Sequence, residues 1–240
     1  MTYSIYFIEI IAAFFATITY SRYRFTPNKY FLPYLWFVVL IETLAHIILF
    51  DKNIKSIGYQ FLIDKLKLIF PGNLLEHSIW LINIYDIVTY NFYLFYFYLI
   101  LKNNYFRRRI KFFIWLLNIV IIINLLIYGN RFNETYLIYT IITGSLLILI
   151  CSGFYFSKVL KSNEIFVFYK TLTFWIIIGT LIFQLCVTPV TIFSSELEFS
   201  HYLYNYILSI CNYILYGSFI VGFIINAYQE KKKLNEVNTD

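Results

Sequence analysis

The chain has 240 residues, of which 60% are hydrophobic, 22% aromatic and only 13% charged, with a formal net charge of +6. Its mean hydropathy is +0.70. So little polar surface cannot solvate a globule of this size, which excludes a water-soluble fold and indicates an all-α polytopic membrane protein.

A helix needs about 20 mostly apolar residues to cross a hydrocarbon core of roughly 30 Å. Seven such runs follow one another, at Tyr3–Tyr20, Phe31–Phe50, Ser78–Leu101, Ile110–Tyr128, Tyr136–Val159, Thr171–Phe193 and Tyr202–Tyr228, and they make residues 1–240 a single transmembrane domain. The first run has no basic leader and carries Glu9 in its middle, so it reads as a retained span and not a signal peptide. Thr26-Pro27-Asn28 reads as an ordinary turn. The second run begins near Pro33 and places Glu42 and His46 four residues apart, on one helical face. The connection 51–73 spaces Ile57, Phe61, Leu62, Leu66 and Ile69 as an amphipathic helix lying on the outer leaflet, ended by Pro71-Gly72, either tidying the bundle or covering a pocket.

The third run carries Asn83, Asp86 and Tyr90 at helical spacing, and the basic triplet Arg107, Arg108 and Arg109 follows it. That triplet suits lipid headgroups or a cytoplasmic partner protein. Asn118 and Asn124 fall in the fourth run. Gly144 and Gly153 offer small-residue contact points in the fifth. The sixth holds Gln184 and a helix-interior Pro189, and the seventh Asn205 and Asn212, with Gly217 and Gly222 beyond. Residues 229–240 read as a short cytoplasmic tail, so that any signal passes to a partner protein. Cys151, Cys186 and Cys211 all lie inside spans and form neither a disulfide framework nor a zinc spacing.

Orientation follows from the basic residues. Fourteen of the 19 Lys and Arg fall in one set of connections, at Arg22, Arg24, Lys29, Lys102, Arg107 to Arg109, Lys111, Lys158, Lys161, Lys170 and Lys231 to Lys233. The positive-inside rule then places the N-terminus outside and the C-terminus in the cytoplasm, in a bacterial plasma (inner) membrane.

At about 1.5 Å per residue, Glu9, Glu42 and Asp86 come out at one depth, roughly 9 to 12 Å below the outer boundary, on three different helices. Gln184 and Asn212 fall at similar depth and His46 nearer the mouth. The interior of the spans holds no Lys or Arg. An ionised carboxylate there costs several kcal/mol unless it is paired, hydrated or neutralised. Three outcomes meet that requirement: protonated acids cross-linking helices, a water-filled outward cavity, or a bound cation. The expected site is therefore Glu9, Glu42, His46, Asn83, Asp86, Gln184 and Asn212, with Glu42, His46 and Asp86 as candidate metal ligands. The residues leave any cofactor unnamed.

Glu42, His46 and Asp86 invite comparison with the seven-helix ceramidase and adiponectin-receptor-like hydrolases, in which His and Asp hold zinc. The comparison fails at the last span, which has no His pair. A microbial rhodopsin is excluded by the lack of a Lys there. In its whole length, the Lys29–Trp36 entry to the second span and the aromatic Tyr90–Leu101 stretch ending in basic residues, the chain resembles small uncharacterised seven-helix membrane proteins of bacteria. That resemblance implies no activity. A non-enzymatic membrane sensor, or the membrane subunit of a larger complex, with an outward-facing polar pocket is the expected function. The alternative is a small-solute or cation transporter of three-plus-one-plus-three build, hinted at by the likeness of Thr2–Tyr6 to Thr135–Tyr139. Few glycines and prolines fall mid-span, which counts against broken transport helices.

Overall fold

The computed structural model describes residues 2–50, 78–162, 167–193 and 201–237. Backbone N–H and C=O groups find no water in hydrocarbon, so each apolar run closes its hydrogen bonds within itself as a helix. The described residues form seven long helices: α1 (Thr2–Tyr23), α2 (Phe31–Phe50), α3 (Ile79–Ile100), α4 (Asn104–Tyr128), α5 (Ile138–Leu160), α6 (Leu172–Phe193) and α7 (His201–Val237). The expected 51–73 helix and the side chains of His201 and Asn205 lie outside the described residues.

Six of the seven helices, all but α3, are long and apolar enough to cross a membrane. The exception has a physical cause. At 22 residues α3 is as long as its neighbours, but its polar residues are turned inward, with Asn83, Thr89, Tyr90, Tyr93 and Tyr96 all buried. Two other boundaries differ from the sequence reading. α4 begins at Asn104, capped by the Asn103 side chain accepting from the Tyr105 N–H, so the Arg triplet lies on its first two turns. α7 runs on to Val237, so the stretch beyond Tyr228 continues the helix through that residue instead of forming a separate tail.

Packing follows a closed order. α1 packs on α2 and α7, α2 on α3, α3 on α5, α5 on α6 and α6 on α7, while α4 lies outside this ring against α3 and α5. Accordingly α4 turns Phe112, Trp115, Ile119, Ile122 and Leu126 outward.

The seams are built from small residues. Ala12, Ala13 and Ala16 recur at helical spacing on α1 and are fully buried. Between α6 and α7, a Cβ on Gly179 would strike the Ser218 hydroxyl, and one on Gly222 would come within 2.7 Å of Trp175. Gly144 on α5 seats the Tyr90 ring of α3. Gly153, expected to be a contact point, instead meets open space, because it lies on the outward side of α5.

The end of the bundle that carries the Arg triplet, Arg22 and Lys158 is filled with aromatic rings. Phe31 packs on Phe219 at 4.9 Å and on Phe92 and Tyr96 at 5.6 and 5.9 Å. Here the Thr26–Asn28 turn proves more than a connection. Thr26 caps a short 3-10 turn over Pro27–Tyr30. Asn28 is buried, and its Oδ1 accepts from the Tyr96 hydroxyl of α3 at 2.6 Å and from Thr173 of α6 at 3.2 Å.

Candidate functional site

Glu9 occupies the same α1 stripe as Ala12, Ala13 and Ala16, and is only 3% exposed. A single carboxyl on a stripe of alanines is thereby carried into the bundle. The Tyr216 hydroxyl of α7 hydrogen-bonds it, and the Glu42 carboxyl of α2 is near enough to repel it. Its second oxygen, Oε2, is buried with no hydrogen-bond partner.

Glu42 is half-buried and faces His46 one turn along α2, so the expected pair meets. The Tyr6 ring of α1 lies 5.3 Å from the His46 ring, and its hydroxyl meets Thr43 at 2.8 Å. Asp86 is half-buried on α3. Tyr85, its neighbour in sequence, lies in the electrostatic field of all three acids, Glu9, Glu42 and Asp86. Tyr216 lies in the field of Glu9 and Glu42 and of the Tyr34 and Tyr85 hydroxyls. The acids of α1 and α2 are thus joined to α3 and α7 through tyrosines.

From Asp86 a second polar line leads away. Tyr90 lies in its field. The Tyr90 hydroxyl meets Ser145 of α5 at 3.2 Å, Ser145 donates to Gln184 Oε1 of α6 at 2.8 Å, and Thr188 donates to the same oxygen at 3.3 Å. Gln184 therefore belongs to a hydroxyl relay that ends on Tyr90, in the field of Asp86.

Asn83 and Asn212 have other roles. Asn83, wholly buried, donates to the Phe132 and Thr135 carbonyls at 2.9 Å each and accepts from the Leu137 N–H at 3.1 Å. It clamps the turn between α4 and α5. Asn212 donates to Leu208 O of its own helix at 2.9 Å. Among the described residues no three His, Cys, Asp or Glu side chains form a group able to hold a metal ion. Glu42, His46 and Asp86, expected as candidate ligands, do not close into such a group.

Of the Arg triplet, Arg107 is folded back on the protein, its guanidinium 4.6 Å from the Tyr98 ring and its Nε donating to Tyr98 O at 3.3 Å. Arg109 lies 4.2 Å over Tyr105. Arg108 and Arg109, with Asn104 and Tyr105, line a surface cavity of about 390 Å³.

Sequence reasoning missed Tyr85 and Tyr216. Their one signal was position, Tyr85 adjoining Asp86 and Tyr216 four residues beyond Asn212, and in a chain with 24 tyrosines that signal is faint.

The helices and their buried acids define a multi-pass helical membrane protein. No protein-family model matches the chain, and no curated protein or solved structure proves similar to it.

Proposed function

We propose that the chain is a non-enzymatic membrane protein of seven spans, N-terminus outside and C-terminus cytoplasmic, whose Glu9–Glu42 cluster is a ligand pocket reached from outside. It acts as a receptor-like sensor or as the membrane subunit of a larger assembly in the plasma membrane. α3 serves as the seventh span, with Asn83, Thr89, Tyr90, Tyr93 and Tyr96 buried against its neighbours.

One observation carries this reading: a buried Glu9 carboxyl with an oxygen lacking any partner, set beside a second carboxyl. Ionisable groups at membrane depth are expensive to keep, and a site is the usual reason for keeping them. The neighbours of these acids are tyrosine hydroxyls and the single imidazole of His46, a set that suits binding. The aromatic packing around Phe31 closes the opposite half of the bundle, which leaves the outer side as the route in. Arg108 and Arg109 offer the cytoplasmic contact to a partner protein or to lipid phosphate.

The test is cysteine accessibility. Thr43→Cys, in a background with Cys151, Cys186 and Cys211 replaced by Ala, is expected to react with a membrane-impermeant thiol reagent added to whole cells, and a reporter fused after Asp240 to be active only in the cytoplasm. Labelling confined to inverted vesicles, or absent from both sides, refutes the outward pocket.

The transport reading keeps one specific support. The ring α1–α2–α3–α5–α6–α7 with α4 outside it is the arrangement expected when two three-helix units are joined by a linker helix, each unit's first helix touching the other's third. Concentrative uptake into liposomes distinguishes transport from sensing.

A further inference from the structure

Resting on the reading of this cluster as a ligand site, we propose that the Glu9–Glu42 pair binds one small monovalent cation of about sodium size, with the hydroxyl oxygens of Tyr85 and Tyr216 as additional ligands. The argument starts from Glu9. Its Oε2 is buried without a partner, and Glu9 is only 3% exposed. A buried acceptor left unpaired costs more than a hydrogen bond returns, and more again when charged. A second carboxyl beside it adds repulsion that either a proton or a cation between them relieves.

The protein supplies little of that charge. His46 faces Glu42 and offsets at most one carboxylate. No Lys or Arg lies within α1 before Arg22, in α2, or in α3. With His46 already set against Glu42, a single added positive charge suffices at Glu9, which favours a monovalent ion over a divalent one.

Chemistry and size narrow the occupant further. The atoms facing the pair are carboxylate and hydroxyl oxygens, hard ligands that suit hard cations, whereas soft metals call for thiolates. Divalent transition metals are disfavoured by the absence, among the described residues, of a third His, Cys, Asp or Glu in ligand reach. An organic ammonium brings substituents that the protein would have to house, whereas a bare ion needs only oxygen ligands.

The measurement is the thermal unfolding midpoint of the purified protein in detergent, in sodium, potassium, choline or calcium chloride at equal ionic strength. Sodium is expected to raise the midpoint saturably, by about 5–10 °C at a hundredfold excess over its Kd, and choline to leave it unchanged. Glu9→Gln and Glu42→Gln keep the side-chain shape and remove one charge each. Both are expected to lose the sodium response, with midpoints in choline at or above the wild type's. Equal midpoints in sodium and choline, a response to calcium alone, or a sodium response surviving in both variants overturns the proposal. Labelling of Thr43→Cys is measured on the same preparations. If the sodium response is absent but labelling from outside persists, the pocket stands with a different occupant. If both are absent, the pocket reading falls as well.

Discussion

Replacing Asn83 tests whether it is a clamp on the α4–α5 turn or part of the binding cluster. Its amide makes three hydrogen bonds, to Phe132 O, Thr135 O and the Leu137 N–H. Asn83→Ala removes all three. The two carbonyls lie near the bundle end, where water replaces part of what is lost, so each is worth about 0.5–1.5 kcal/mol. The Leu137 N–H belongs to a residue only 1% exposed, and stranding it costs about 1–3 kcal/mol. The expected loss is about 2–6 kcal/mol. At roughly 2–4 °C per kcal/mol for a chain of this size, the midpoint falls by about 4–24 °C. Asn83→Asp retains the acceptor for Leu137 but sets a carboxyl against two carbonyls, and is expected to be no better than Ala. The assay is thermal unfolding in detergent, scored alongside the sodium response of the same variants. A clamp predicts lower midpoints with the response intact. A midpoint within about 2 °C of wild type, or a stable protein that no longer responds, refutes the assignment.

Gly144→Leu sets a side chain into the Tyr90 ring, and because both elements are buried helices the cost is expected to exceed the 1–3 kcal/mol usual for overpacking, read as lost folded yield or a lower midpoint; Gly153→Leu, facing open space, is the matched control and is expected to change the midpoint by less than about 2 °C. Asn28→Ala removes the shared acceptor of Tyr96 and Thr173, strands one buried hydroxyl proton, and is expected to cost about 1–3 kcal/mol; in a double-mutant cycle Tyr96→Phe relieves part of that loss, and strict additivity counts against the contact.

The helices were legible because crossing hydrocarbon demands a length and a composition, and both are written locally. The acids were legible for the same reason: a charge inside an apolar run has no camouflage. Partners were not. Asn83, Asp86 and Tyr90 share a face of α3 by spacing alone, yet Asn83 turns to the α4–α5 turn, Tyr90 to Ser145, and Asp86 to neither. Helical periodicity gives a direction from the axis but not what stands there. Asn28 looked like turn chemistry because Pro27 beside it is turn chemistry. Its tertiary role depends on Tyr96 and Thr173, 68 and 145 residues away. Gly153 failed as a contact because a glycine permits close approach without requiring it. The tyrosines of the cluster were hidden by abundance, since Tyr85 and Tyr216 differ from their neighbours only in what they face.

The length of α7 has a mechanical consequence. Its 37 residues make a rod of about 55 Å, nearly twice the thickness of a hydrocarbon core. Tyr216, which holds Glu9, lies 21 residues before Val237, about 32 Å along the axis. A helix transmits tilt without absorbing it, so a rotation of about 5° pivoting at Tyr216 swings Val237 through roughly 3 Å. A proton, an ion or a lost hydrogen bond at Glu9 need only change the seating of one phenol to move the far end of that lever by the width of a side-chain contact.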